Sequence, residues 1–384
     1  MKSLLPRLAL ASGNFITGLA VLAPAGMLHE LSNGLGVTIR DAGLLVTYGA
    51  VILCFGSPIL SWLTTRMGRR LLLTGTLVVI AIGNLASAFA ADYATILLLR
   101  IAMLVVAAIY TPQAASTIAL LVPEKSRPSA LAFVFLGWSI AIAVGLPLVT
   151  LAATHFGWRE TYLIIGIAAA IAAVLNVAAL PRNLQGYPLS LQSFAEIARS
   201  KTLLLILLIT LFQMSGQFSI TIYLVPVLSR VAEAGPAVGG IFFSILGIAG
   251  IVGNVIATSI VGRIGVARTL TIFMLSMMCG SLVWAVGGGV LPIMAVGVVL
   301  LGLGLTSANS MQQARLIEAA PTLASATVAL NTSFLYFGQA LGSASAGFLF
   351  DHGAYRATGF LAVGFFVLAF VTFQFTEFRR KQNA

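Results

Sequence analysis

Twelve apolar stretches of roughly 20 residues run the length of the chain, separated by short polar hinges, and no carboxylate falls inside any of them. A helix of about 20 residues at 1.5 Å per residue crosses a hydrocarbon core about 30 Å thick. Only helices and closed barrels satisfy their backbone there, and these stretches lack the apolar–polar alternation of barrel strands. The expected fold is an all-α membrane protein with 12 transmembrane helices, at 8–28, 42–63, 71–90, 95–121, 129–152, 160–180, 203–229, 237–261, 269–287, 291–313, 323–349 and 357–377. The first stretch ends near Ala23-Pro24-Ala25, which loosely mimics a secretory cleavage site. It is longer than a signal core, so it is read as a retained span.

A net charge of +11 raises the question of nucleic acid, but the placement of the charges answers it. Of 21 Lys and Arg residues, sixteen fall on the N-terminal side of the spans. Four, Arg40, Arg159, Arg230 and Arg356, fall on the other, and Arg100 lies within the fourth span. This positive-inside asymmetry predicts cytoplasmic N- and C-termini and a lipid bilayer as the main partner, with no nucleic acid. Cys54 and Cys279 sit in the second and ninth spans without metal-ligand spacing, and no cofactor is expected.

Sliding the chain by 197 residues pairs Gly56 with Gly253, Arg66 with Arg263, Gly68 with Gly265, Gly145 with Gly342, His155 with His352 and Arg159 with Arg356. Six helices returning to the starting side, followed by six more, make a parallel repeat. The expected organisation is an N-terminal six-helix bundle over 1–180, a cytoplasmic linker over 181–202 and a C-terminal six-helix bundle over 203–384, the two bundles being pseudo-symmetric.

The loop after the second span, running from Gly56 through Thr65-Arg66-Met67-Gly68-Arg69-Arg70, resembles the G-x-x-x-D-R-x-G-R-R loop of the major facilitator superfamily. Arg100 after Leu97-Leu98-Leu99, Gly145-Leu146-Pro147, and Gly157-Trp158-Arg159 are similar to elements of that superfamily's bacterial drug and sugar efflux branch, which includes drug:proton antiporters and arabinose-efflux-like permeases. The resemblance implies a monomeric secondary active transporter of the bacterial cytoplasmic (inner) membrane, working by alternating access, in the efflux direction, with protons as a coupling ion. It also implies gating roles for Gly56, Arg66, Gly68, Arg69, Arg70, Arg100, Gly145 and Pro147. Two departures stand out. Thr65 replaces the loop's Asp, which weakens the latch, and Val21 stands where many members carry a first-helix acid. All ten carboxylates lie at span ends or in loops, so coupling is expected to be weak, or to run through Glu30 and Asp41 at the outer rim.

Polar side chains inside the spans are the substrate-site candidates: Gln113, Ser116 and Thr117 on the fourth, Gln213, Gln217 and Tyr223 on the seventh, Thr306, Asn309, Ser310 and Gln313 on the tenth, and Asn331, Tyr336 and Gln339 on the eleventh, with Asn14 and Tyr48. Pro112 and Pro147 each deprive a carbonyl four residues earlier, that of Ala108 or Ala143, of its helical donor. Two uses of these polar groups are open, hydrogen bonding between helices or binding a solute. The set is neutral and amide-rich, with Trp138, Tyr110, Phe212, Phe218 and Phe334 nearby. That chemistry suits a neutral or weakly charged small molecule, drug-like, sugar-like or nucleoside-like. Arg100 either functions inside the span or snorkels to the interface. No nucleophile–base set or phosphate loop stands out, so an enzyme is not expected. An uptake facilitator of the same fold and a membrane sensor remain as alternative readings.

Overall fold

The computed structural model describes residues 4–64, 66–123, 127–182, 184 and 191–382; Thr65 and most of 183–190 in the linker lie outside the described residues. The chain divides into two compact units, Met1–Leu189 and Ser190–Ala384. The first contains α1 (Leu4–Gly26), α2 (Leu28–Leu35), α3 (Ile39–Leu63), α4 (Arg69–Ala88), α5 (Tyr93–Ala107), α6 (Tyr110–Leu121), α7 (Arg127–Ile140), a π-helical turn (Ala141–Gly145), α8 (Leu146–Phe156) and α9 (Trp158–Ala179). The second contains α10 (Leu191–Arg199), α11 (Lys201–Thr221), α12 (Leu224–Ala232), α13 (Pro236–Ile264), α14 (Val266–Val286), α15 (Leu291–Leu305), α16 (Ser307–Ala319), α17 (Ala324–Asp351) and α18 (Ala357–Gln382).

Among the described residues, eleven helical segments are long and apolar enough to cross a membrane. At 28 residues, α17 matches them in length but carries a heavier polar load, including Asn331, Thr332, Ser333, Gln339, Ser343 and Ser345. It completes the set of twelve.

Each unit is assembled by the same rule. In the first, α1 packs on α7 and α9, α4 on α5 and α9, and α3 on α5; in the second, α11 packs on α17 and α18, α14 on α15 and α18, and α13 on α15. The 197-residue offset also recurs in loop chemistry. The Arg159 Nη2 group donates to the Ala90 carbonyl at 3.0 Å and that of Arg356 to the Gly288 carbonyl at 2.9 Å. His155 and His352 each set Nδ1 2.8 Å from the carbonyl four residues back, Leu151 or Phe348.

The spans are interrupted where prolines remove donors. The α5/α6 break at Ala108–Ile109 falls at the carbonyl that Pro112 leaves without its donor, and the π-helical turn falls at the one left by Pro147, with the Leu146 amide reaching back five residues to Ala141. Pro226 does the same at the α11/α12 break. The α15/α16 break at Thr306 has no proline. Asn309 holds the place of Pro112, and the Thr306 hydroxyl donates to the Gly250 carbonyl of α13 at 2.7 Å.

Gly56 and Gly253 hold equivalent places but carry different loads. A Cβ on Gly56 would make ordinary contact, 3.4 Å from the Ala108 methyl, whereas one on Gly253 would overlap the Leu303 backbone of α15. Gly68, the glycine of the superfamily-like loop, has φ −60 and open space around it, so its backbone does not require glycine; its counterpart Gly265, at φ +83, does. Gly253→Ala is therefore expected to destabilise the protein by about 1–3 kcal/mol through overpacking, while Gly56→Ala and Gly68→Ala stay near wild type. Thermal unfolding of the detergent-solubilised variants would check the contrast, and equal losses at Gly56 and Gly253 would contradict it.

Candidate substrate site

In the first unit, most interior polar groups are consumed by the fold. Asn14, fully buried on α1, donates to the Val134 carbonyl at 3.0 Å and accepts from the Thr111 hydroxyl at 2.9 Å, and Thr111 in turn accepts from Trp138 Nε1 at 3.1 Å. Tyr110 donates to Asn176, which bonds back to the Ala9 carbonyl of α1. These chains tie α1 to α6, α7 and α9. Gln113 and Thr117 are buried on α6, with Ser116 half-buried between them and donating to the Gln113 carbonyl at 3.0 Å. The Thr117 hydroxyl has no partner. Tyr48 is exposed on α3 and does not join this group.

The second unit separates its candidates more sharply. Asn331 accepts from Thr210 at 2.7 Å and donates to Asn309 at 3.3 Å, bridging α17 to α11 and α16. Ser310 donates to Asn254 of α13, and Gln313 is half-buried. Tyr223 sits in the α11/α12 break and stacks on Phe350, with ring centroids 5.5 Å apart; Tyr336 is buried on α17.

Gln213, Gln217 and Gln339 differ from all of these. They are buried, yet both amide atoms of Gln213, both of Gln339 and Oε1 of Gln217 have no hydrogen-bond partner. The backbone puts the first and last at one level. Gly338 and Gly342 leave no room for a Cβ against the Leu211 and Ser215 carbonyls, so α17 crosses α11 at the turn that carries Gln213. Buried amides without partners cost about 1–3 kcal/mol each, so this stretch carries a polar demand that the protein itself does not meet.

Among the motif residues, Arg66 is exposed and Arg70 half-buried, while Arg69 is 3% exposed and its backbone amide donates to the Leu184 carbonyl at 2.8 Å. Gly145, in the π-helical turn, faces Leu19 of α1, and Pro147 follows it. Arg100 does not snorkel. It is 1% exposed and turns inward, where its Nη2 donates to the Ala20 and Val21 carbonyls of α1, each at 3.2 Å. Pro24 explains the first of these acceptors, because its missing N–H leaves the Ala20 carbonyl without a helical donor. At the helix ends opposite the face that carries the N-terminus, Asp41 is bound in a capping box with Thr38, Glu30 accepts from Thr154, and Asp92 caps α5 through the Thr95 amide, which holds its carboxyl below the usual range.

One cluster escaped the sequence reading. Arg315 of α16, 5% exposed, donates to Glu377 of α18 at 2.7 Å and to Gln312 at 2.9 Å, and its guanidinium lies 4.7 Å from the Phe373 ring centre. Gln312 passes the chain to the Ile206 carbonyl of α11. Glu377 is thus no loose span end, and only its pairing across 62 residues, invisible in a linear reading, shows this.

Two units of six spans each, polar groups lodged within apolar helices, and proline-broken spans define a polytopic membrane transporter. Residues 10–342 match the family model described as the Major Facilitator Superfamily, and the chain belongs to that family. It is 27% identical over 360 residues to the inner membrane transport protein YdhP of Escherichia coli K12, covering 92% of this chain and 90% of that one. It is 24% identical over 382 residues to a probable sugar efflux transporter of Mannheimia succiniciproducens, covering 95% and 94%. Its fold is similar to that of a D-xylose–proton symporter, with a TM-score of 0.74 at 16% identity and coverage of 94% and 96%.

The Arg315–Glu377 pair yields a stability prediction. Glu377→Ala leaves a buried guanidinium uncompensated and is expected to cost about 3 kcal/mol, whereas Arg315→Met together with Glu377→Met recovers most of the loss. A double-mutant cycle on thermal unfolding measures the coupling, and additive losses would show that the pair does not act as a unit.

Proposed function

We propose that the protein is a secondary transporter that exports a small, neutral or weakly charged, hydroxyl-bearing organic solute across the bacterial inner membrane by alternating access. The observation that carries this reading is the set of partnerless buried amides at Gln213, Gln217 and Gln339. An amide offers both a donor and an acceptor, which matches hydroxyls and ring nitrogens, and no carboxylate is bonded to it. Gln113 and Thr117 of the first unit offer the same neutral chemistry. Export is supported by the similarity to a relative named a probable sugar efflux transporter.

Coupling follows from the acids. The Glu30 and Asp41 carboxylates serve local hydrogen bonds at the rim, and with Val21 in the acid's place the first helix has no carboxylate, so facilitated exchange is the limiting mode. The protein works as a monomer with both termini in the cytoplasm.

Gln217→Ala and Gln339→Ala are expected to lower counterflow of labelled solutes in proteoliposomes about tenfold while leaving the amount of folded protein unchanged, because each removes a group that bonds solute and not helix. A parallel fall in abundance would assign these amides to the fold. For topology, single cysteines replacing His155 and His352, in a Cys54→Ala and Cys279→Ala background, are expected to react with an impermeant thiol reagent from outside, and those replacing Arg66 and Arg263 only from inside. Labelling of all four from one side would overturn the orientation.

A further inference from the structure

We propose that Arg100 and Tyr162 form an anion site inside the first unit, taking one small monoanionic group, a halide or a carboxylate. Arg100 lies seven residues into α5, about 10 Å along the helix from its outer end. Only Nη2 is engaged, by the Ala20 and Val21 carbonyls, while Nε and Nη1 are buried with no partner. No carboxylate among the described residues pairs with it; Glu30, Asp41, Asp92 and Glu160 all lie at the outer loops. Beside it stands Tyr162 of α9, fully buried, whose hydroxyl oxygen faces the Arg100 guanidinium and whose O–H proton has no acceptor.

Three N–H and O–H donors around one uncompensated positive charge are the requirements of an anion site in a low-dielectric interior. Two carbonyl dipoles offset the charge in part and cannot neutralise it. The two edges of the guanidinium therefore divide the work, with Nη2 holding the Pro24 kink of α1 and Nε with Nη1 facing the anion. This site is independent of the glutamines in the second unit, and its test does not read transport.

The experiment is thermal unfolding of the full-length detergent-solubilised protein at constant ionic strength, with chloride replacing the bulky buffer sulfonate MES, which is neither a halide nor a carboxylate. A saturable rise in melting temperature with chloride is expected in the wild type and none in Arg100→Met. Should Arg100→Met fail to fold for want of its grip on α1, Tyr162→Phe keeps that grip and removes one donor, and it should raise the chloride midpoint about fivefold. Unchanged melting in chloride and MES, or a Tyr162→Phe midpoint equal to wild type, overturns the site. Formate and acetate distinguish the sources: if they compete with chloride, the site takes carboxylate groups, and if they do not, it takes halide alone.

Discussion

In hydrocarbon every backbone donor and acceptor must find its partner within the protein, and the architecture of this chain follows from how it meets that demand where proline forbids the helical solution. Pro24, Pro112, Pro147 and Pro226 each remove a donor, and each is answered differently. Arg100 reaches across to the α1 carbonyls; the α5/α6 span breaks and resumes; a π-helical turn absorbs one extra residue; α11 gives way to α12. These repairs place irregular backbone in the spans that also carry polar side chains. The equivalent break at Thr306 arises without proline, through a hydroxyl that bonds to a neighbouring helix, so the interrupted span is common to both repeats even though its chemical cause is not.

Charge obeys the same demand. Arg315 is matched by Glu377, Gln312 and the Phe373 face, and a buried guanidinium so surrounded costs little and holds three helices together. Arg100 meets two carbonyl oxygens and the Tyr162 hydroxyl, and no carboxylate among the described residues. The two arginines are buried to a similar degree, and what separates them is how completely their donors are used.

Much of this was legible in the sequence. The spans, the 197-residue repeat and the irregular backbone ahead of Pro112 and Pro147 follow from local composition and from proline chemistry, which depend on near neighbours. The reading was weaker wherever a residue's role depends on a distant partner. Arg100 was ambiguous between the interface and the interior because its partners lie 79 and 80 residues away. Gly68 holds the place of a motif glycine, yet its backbone is one any residue adopts. Gly56 and Gly253 look identical in the alignment and differ in how closely α5 and α15 approach them. Thr65, the motif's departure, lies outside the described residues.

The polar candidates make the same point in finer detail. By type, Asn331 and Gln339 are interchangeable on paper: both are amides on one helix, two turns apart and fully buried. Asn331 spends its oxygen on Thr210 and its nitrogen on Asn309, and removing it would loosen three helices. Gln339 spends nothing. A buried amide that bonds to its own protein lowers the free energy of the fold, whereas one that does not raises it and persists only if another molecule repays the cost. The division between these two residues separates an amide that bonds to the fold from one that does not, and it falls within a single helix where sequence spacing sees only one polar stripe.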